Sequence, residues 1–252
     1  MGFVGKFIGW NRCVANALAK KWPDAFGPPQ PGYLVEMQQA IEVLVETERP
    51  QAILEAGGVD RPMIERSPDF TFIGVDIDER PDCAELYDEF VVQSIEDPLD
   101  CQVDMIVSFT LMEHVPNNSR AAKSIFDSLR PRGTTHHYIP SKLHPYSLAL
   151  RTVGPRMQKM LIPHLRPGAE GVTGYPTFFD HCTPAAMEKL FRKHGFTDIA
   201  IRPYYRANDY FAFFLPAYVL VSLFENLCRS MGIRQFASGF ILSARKPSQG
   251  EV

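Results

Sequence analysis

The sequence predicts an α/β fold with a seven-stranded, mostly parallel sheet, helices on both faces and a hydrophobic helix near the end of the chain. Short apolar runs of four to seven residues alternate with stretches of helical periodicity, as is typical of parallel strands buried on both faces. The composition agrees, since 45% of the 252 residues are hydrophobic and 22% are charged, as in ordinary globular proteins.

The elements follow in order along the chain. Residues 1–35 begin with a basic amphipathic helix, predicted to act as a lid, and residues 36–252 form the main domain, which opens with the helix Glu36–Glu48. The predicted strands are Gln51–Ala56, Phe70–Val75, Glu89–Val92, Val103–Ser108, Gly133–Ile139, Thr197–Pro203 and Phe236–Ala244. The predicted helices among them are Ser119–Leu129 and Pro184–His194, the second with Thr183 as its N-cap and Gly195 at its end.

Two segments interrupt this alternation. Residues 140–183 contain six prolines and one predicted helix, Ser147–Leu161, and long irregular insertions of this kind are usually functional. Residues 208–231 form a helical segment that is hydrophobic nearly all round, so it must be buried somewhere. The protein core, a homodimer interface and the surface of a bilayer are the three candidates, and the sequence leaves them open.

Composition and charge exclude several classes of protein. The net charge of −3 gives no electrostatic reason to bind nucleic acid. The five cysteines are widely spaced without a C-x-x-C pair, which favours reduced thiols in a cytoplasmic protein over disulfides, and no metal site is predicted. No uncharged stretch reaches the roughly 20 residues of a membrane-spanning helix. We therefore expect a cytoplasmic protein, with contact to the inner face of a membrane as an open alternative.

One constellation carries chemistry. A strand ends at Glu55, Gly57 and Gly58 follow in a turn expected to lead into a helix, and the next strand ends at Asp76. Glycines let a ligand lie against bare backbone, and an acid at the end of the second strand is where such sheets hold ribose hydroxyls. A tight structural turn with a surface aspartate is the alternative. NAD-type fingerprints need further glycines, and Val59 departs from that pattern.

Five elements occur in a family's order and spacing: Ile53–Gly58, Gly74–Asp78, Asp104–Val115, Leu129–Gly133 and His194–Phe196. With them the chain resembles the Rossmann-like class I S-adenosylmethionine-dependent methyltransferases, in the branch that carries Glu-His-Val after the fourth strand. The resemblance covers roughly residues 36–139 and 184–246.

This resemblance implies S-adenosylmethionine as the cofactor. Glu55 and Gly57 would hold its methionine part, with Gly58 lining the same loop. Asp76 would accept hydrogen bonds from the ribose hydroxyls, and Ile77 would pack on the adenine. The family's usual third glycine falls at Val59, which is a departure from the motif.

The resemblance also assigns the remaining cofactor contacts. Ser94 and Ile95 belong to the loop that would face the adenine edge, although many relatives carry an aspartate where Ser94 stands. Ser108, Phe109 and Thr110 would flank the sulfonium and its methyl group.

Methyl transfer mostly requires orientation and exclusion of water, and only a poor nucleophile such as a sugar hydroxyl also needs a general base. We rank His137 first as that base, then His144, then His181, because all three are predicted near the carboxyl edge of the sheet. The acceptor is expected to contact an aromatic and acidic loop, for which a packed Ω-loop is the equal alternative. Its candidate residues are Tyr175, Phe178, Phe179 and Asp180.

A basic N-terminal helix combined with a hydrophobic segment near the end of the chain is an arrangement that resembles the methyltransferases of polysaccharide biosynthesis clusters. This resemblance implies O-methylation of a sugar or polysaccharide-related acceptor, either a small molecule or a lipid-linked glycan. Methylation of a quinone-like or lipidic ring is an alternative, and so is an inactive methyltransferase fold that serves as a binding protein. An NAD-dependent oxidoreductase is disfavoured by the missing glycine and by the absence of a Tyr-x-x-x-Lys pair.

Overall fold

A computed structural model describes residues 3–28, 32–149, 151–152, 176–248 and 250 of the chain. Its centre is a seven-stranded sheet with the order β3-β2-β1-β4-β5-β7-β6, which confirms the predicted fold class. The strands are β1 Ala52–Ala56, β2 Thr71–Asp76, β3 Glu89–Val92, β4 Val103–Phe109, β5 Leu129–Pro140, β6 Thr197–Tyr204 and β7 Gly239–Arg245. All seven overlap the predicted apolar runs.

Five of the strands form a parallel sheet. β1 pairs with β2 on one side and β4 on the other, and β3 and β5 extend the sheet outwards. β7 runs antiparallel to β5, because the Arg132 amide donates to the Lys246 carbonyl at 2.9 Å and the Ser141 amide to the Ser238 carbonyl at 3.0 Å. The carboxyl ends of the parallel strands therefore share one edge, where ligands bind in open α/β sheets.

Seven helices and three short 3-10 helices have both ends among the described residues, and residues 145–149 and 151–152 are also helical. The helices are α1 Phe3–Lys21, α2 Pro23–Phe26, α3 Tyr33–Glu48, α4 Cys83–Leu86, α5 Asn118–Ser128, α6 Pro184–Lys193 and α7 Leu215–Ser230. The 3-10 helices are Met112–His114, Asn208–Phe211 and Arg234–Phe236. α6 has the predicted caps: the Ala186 amide donates to Thr183 Oγ1 at 3.4 Å, and Gly195 has φ +94°.

The connection between β1 and β2 differs from the prediction. Residues 57–70 contain neither helix nor strand, so the expected helix after the glycine pair is wrong. Pro62 and Pro68 explain this, because proline lacks an amide hydrogen and disfavours the helical conformation of the residue before it. The glycine pair thus opens a long loop.

The chain packs as two compact units. The sheet unit comprises Tyr33–Pro140, Phe178–Arg202 and Phe240–Val252, and its core includes Leu54, Ile106 and Phe191. The helical unit comprises Met1–Gly32, Ser141–Thr177 and Pro203–Gly239. Most of the predicted helix Ser147–Leu161 lies outside the described residues. Within the ranges that the structure covers, no helix is both long enough and apolar enough to cross a membrane.

Candidate active site

The glycine pair forms a tight turn after β1. Gly57 has φ +85°, and a Cβ there would lie 3.1 Å from the Leu111 side chain, while a Cβ on Gly58 would lie only 2.4 Å from Tyr87 Oη. Val59 also has a positive φ of +46°, although β-branched residues rarely adopt it. Val59 stands where the resemblance leads us to expect a third glycine. Its backbone is nevertheless in the left-handed region.

Glu55 has a different contact from the predicted one. Its carboxylate is buried and accepts hydrogen bonds from the Met63 amide at 2.8 and 3.0 Å and from the Ile64 amide at 3.4 Å. Because residues 57–70 form no helix, these amides need another acceptor. Burial raises the pKa of Glu55 to about 7. Glu55 thus fixes the loop, and its contact with the methionine part stays a prediction.

Asp76 and Ile77 lie together at the carboxyl end of β2. Asp76 is half-buried, and its Oδ1 accepts a hydrogen bond from the Asp78 amide at 2.9 Å. Desolvation by burial raises the pKa of the Asp76 carboxyl. Ile77 is 65% exposed, which is unusual for an isoleucine beside a carboxylate. An acceptor for hydroxyls next to an apolar side chain fits the adenosine part of S-adenosylmethionine.

The loop after β3 places its two predicted residues differently. Ser94 is half-exposed, and its Oγ accepts a hydrogen bond from the Glu96 amide at 3.2 Å. Ile95 is buried and belongs to the main hydrophobic core. Ser94 therefore stays a predicted cofactor residue, whereas a side-chain contact from Ile95 is corrected to a core role.

Ser108 and His137 form a buried pair between β4 and β5. Ser108 Oγ lies 2.7 Å from His137 Nδ1, and Thr135 Oγ1 lies 2.5 Å from His137 Nε2, so both ring nitrogens are engaged. Burial lowers the pKa of His137 to about 3. Neither side chain is exposed, so His137 as the base and Ser108 beside the sulfonium are both corrected. The pair instead satisfies polar groups inside the sheet.

Phe109 and Thr110 end β4 at the predicted edge. Phe109 is partly exposed and belongs to a stack of three rings, 4.9 Å from Tyr138 and 6.0 Å from Tyr33 between centroids. Tyr33 and Tyr138 are 4.3 Å apart and nearly parallel. Thr110 is exposed and has φ +53°. Tyr33 and Tyr138 are additions that the sequence did not reveal, because they come from distant elements.

His144 is also unable to serve as the predicted base. It is fully buried, its Nε2 lies 3.0 Å from Glu225 Oε1, and its Nδ1 accepts a hydrogen bond from the Tyr146 amide at 3.2 Å. With both nitrogens engaged and no exposed surface, His144 is corrected to a structural residue of the helical unit.

His181 remains a candidate. Its side chain is 45% exposed, and its Nδ1 lies 2.8 Å from Asp180 Oδ1. Asp180 Oδ2 in turn accepts a hydrogen bond from the Asn118 amide at 2.8 Å, at the start of α5. An aspartate that holds Nδ1 fixes the orientation of the imidazole. Asp180 was predicted to contact the acceptor, and the structure adds that it positions the His181 ring.

The aromatic loop is divided by the structure. Phe179 is buried in the core of the sheet unit, so its predicted acceptor contact is corrected. Phe178 is half-exposed and stays available to a ligand. Tyr175 lies outside the described residues. The loop is fixed by the carbonyl of Glu113, which accepts hydrogen bonds from the amides of Phe178 and Phe179.

Glu113 is a candidate functional residue that the sequence alone did not single out. It belongs to the Glu-His-Val sequence, which was the available signal. Its side chain is buried, and its Oε2 has no hydrogen-bond partner in the part of the chain that is described. Burial raises the pKa of Glu113 to about 8. A buried carboxyl with this pKa is mostly protonated at neutral pH.

Replacing Glu113 by glutamine is expected to change the pH dependence of stability. Since the folded pKa is about 8 and the unfolded value 4.5, the unfolded chain ionises first as pH rises. Glu113 therefore lowers the free energy of unfolding by about 1.4 kcal/mol per pH unit, or roughly 2–3 kcal/mol from pH 5 to pH 7. Urea unfolding at both pH values should show that the variant lacks this slope. An unchanged slope contradicts the assignment.

No group of three or more metal-ligating side chains occurs among the residues that the structure describes.

Comparison with known proteins identifies a family for the chain. A family model for a methyltransferase domain matches residues 33–201, which is more than half of the chain. The solved CurJ carbon methyltransferase is 13% identical, with a TM-score of 0.52, over 85% of this chain and 54% of that one. A Haemonchus contortus phosphoethanolamine N-methyltransferase 2, solved with phosphomonomethylethanolamine and S-adenosylhomocysteine, is 14% identical, with a TM-score of 0.52, over 98% and 61%. No curated protein matches the chain.

These two likenesses show the Rossmann-like fold, and the chain spans little more than half the length of either solved protein. The family match confirms the predicted methyltransferase class and, with it, S-adenosylmethionine as the cofactor. The family is established by the match over residues 33–201: the chain belongs to the methyltransferases of this domain family.

Proposed function

We propose that the protein transfers a methyl group from S-adenosylmethionine to an oxygen of a sugar or polysaccharide-related acceptor. The observation that carries this proposal is the ring stack of Tyr33, Phe109 and Tyr138 at the carboxyl edge of β4 and β5. Flat aromatic faces pack well on the apolar face of a ring-shaped ligand, and Tyr33 and Phe109 keep part of their surface exposed.

The cofactor would be held by residues at the same edge. Asp76 would accept hydrogen bonds from the ribose hydroxyls, and the exposed Ile77 would cover the adenine. Phe109 and Thr110 would lie beside the sulfonium end, where an aromatic face favours a positive charge. When bound, S-adenosylmethionine supplies an electrophilic methyl group whose positive charge is lost on transfer, so these residues mainly orient the reactants and exclude water.

A sugar hydroxyl needs a base, and His181 is the predicted base that keeps an accessible ring. Asp180 fixes its Nδ1 at 2.8 Å, which leaves Nε2 as the nitrogen for the hydroxyl proton. The exposed Phe178 belongs to the same loop and supports an acceptor contact there.

A lipid-linked acceptor, with the protein at the inner face of a membrane, completes the proposal. It is supported by apolar side chains that α1 and α7 leave exposed. A homodimer through the same surface is the competing arrangement. The two solved relatives carry names that refer to a carbon methyltransferase and to an N-methyltransferase, so the preference for oxygen rests on His181 and the ring stack.

Calorimetry followed by an acceptor screen tests the function. S-adenosylmethionine and S-adenosylhomocysteine should bind with micromolar dissociation constants, whereas NAD should not bind. The protein should then transfer radioactive methyl groups to free or lipid-linked sugars. Binding of NAD alone, or of neither cofactor, contradicts methyl transfer. Methylation of quinone-like rings in place of sugars leaves the reaction class intact and replaces the acceptor.

A further inference from the structure

α7 buries several polar side chains and leaves several leucines exposed to solvent. The sequence predicts a helix that is hydrophobic nearly all round and therefore buried, but only one face of it is buried. That face contains Tyr218, Ser222 and Glu225 together with the apolar Val221 and Cys228. The opposite face is apolar and is between 53% and 68% exposed. Its residues are Leu220, Leu223, Leu227 and, just beyond the helix, Met231.

Specific hydrogen bonds hold the polar face inward. Tyr218 Oη donates to the Phe26 carbonyl at 2.9 Å, Ser222 Oγ accepts from Asn208 Nδ2 at 2.8 Å, and Glu225 accepts from the Ala207 amide at 2.7 Å. The helix cannot rotate to bury its leucines without breaking these bonds inside the helical unit. The exposed leucines are therefore a fixed feature of the surface.

α1 packs on α7 and adds a second apolar surface. The Leu215 amide donates to Asn11 Oδ1 at 2.8 Å, so polar Asn11 and small Ala15 are the buried positions of α1. Val4, Phe7 and Trp10 are exposed instead. α1 contains four lysine and arginine residues and no acid. Exposed aromatic side chains among basic ones are typical of helices that lie in a membrane interface.

The two units differ in net charge. Among the described residues, the helical unit contains 9 Lys and Arg against 3 Asp and Glu, while the sheet unit contains 14 against 24. The net charge of −3 for the whole chain conceals this difference. An anionic surface would attract the helical unit. Two copies of the same positive surface would repel each other in a symmetric dimer.

We propose that the exposed face of α7 (Leu220, Leu223, Leu227 and Met231), together with α1, docks onto an anionic lipid bilayer. The leucines enter the interface and the basic residues contact lipid phosphates. This docking face specifies the membrane location in the proposed function and rests on it.

Vesicle flotation of the full chain tests the docking face. The protein should float with vesicles of phosphatidylcholine containing one third phosphatidylglycerol, but not with pure phosphatidylcholine. Leu223→Gln with Leu227→Gln should weaken this binding at least tenfold. Each of Lys6→Gln and Lys20→Gln should weaken it about fivefold, because each removes one charge near the lipid. Unchanged thermal unfolding midpoints show that the variants are folded.

Val35→Gln with Val43→Gln is the matched control, since both valines are exposed on α3 of the sheet unit. This variant should float as the natural protein does. Absence of flotation, or equal loss in both double variants, overturns the docking face. A dimer in sedimentation equilibrium that only the leucine variant dissociates overturns it as well. Calorimetry keeps the two proposals separate: flotation without S-adenosylmethionine binding rejects methyl transfer alone.

Discussion

Glu225→Ala is expected to lower the free energy of unfolding by about 3–5 kcal/mol, the range for removing one partner of a buried ion pair. Glu225 is fully buried on α7, where it accepts hydrogen bonds from the Ala207 amide at 2.7 Å and from His144 Nε2 at 3.0 Å. Its other oxygen lies 3.8 Å from Arg206 Nη1, and that arginine is also buried. Alanine leaves a buried guanidinium without its carboxylate.

Glu225→Gln is the informative comparison. The glutamine oxygen can still accept from the Ala207 amide, so only the charge is lost and the cost should be smaller than for alanine. Urea unfolding followed by circular dichroism measures both variants. If Glu225→Ala costs less than 1 kcal/mol, then Glu225 does not stabilise the helical unit and the orientation of α7 has another cause.

This inward glutamate also explains what the sequence could not decide about α7. Counting apolar residues indicates a helix that is buried somewhere and leaves the protein core, a homodimer interface and a bilayer surface open. The spacing of Tyr218, Ser222 and Glu225, however, places all three on one face, and their partners come from distant segments. Helical periodicity identifies the face, but only the tertiary structure shows which face is turned inward.

The sheet was predictable for a simple physical reason. The central strands β1, β2 and β4 are buried on both faces, so each must be mostly apolar and appears as a short apolar run between turn signals. The edge strands β3 and β6 are more exposed, and their apolar residues mark them less clearly. The helix caps at Thr183 and Gly195 are similarly local, because one side chain and one backbone angle are sufficient. Structural features that depend only on residues close in sequence could therefore be predicted from the sequence.

The candidate site was only partly predictable. Asp76 and Ile77 follow from their place at the end of a strand, and the structure leaves both at the surface. The histidines were less predictable, because the burial of His137 and His144 depends on elements that are distant in sequence. Glu55 was assigned to the cofactor by the resemblance to the methyltransferases, whereas Pro62 and Pro68 could have indicated a loop whose amides need an acceptor.

Asp76→Ala is expected to weaken S-adenosylmethionine binding about a hundredfold. A carboxylate that accepts from two ribose hydroxyls loses two charge-assisted hydrogen bonds, each contributing about 1.5–3 kcal/mol, and part of this is recovered by water. Calorimetry with S-adenosylmethionine measures the loss. Asp78→Asn changes a neighbouring carboxylate and serves as the control, which should bind within about twofold of the natural protein because the Asp76 carboxylate and the Asp78 amide that bonds to it are both kept.

The pH dependence of this affinity supplies an independent test of Asp76. Burial raises its pKa, and the ionised form is the one that accepts from both hydroxyls, so affinity should fall as pH decreases through the raised pKa. Asp76→Asn cannot titrate and should bind weakly at every pH. If the natural protein and Asp76→Asn lose affinity in parallel on acidification, another group controls binding. Asp76 would then be a turn residue held by the Asp78 amide, and the cofactor would have to be anchored elsewhere on the edge.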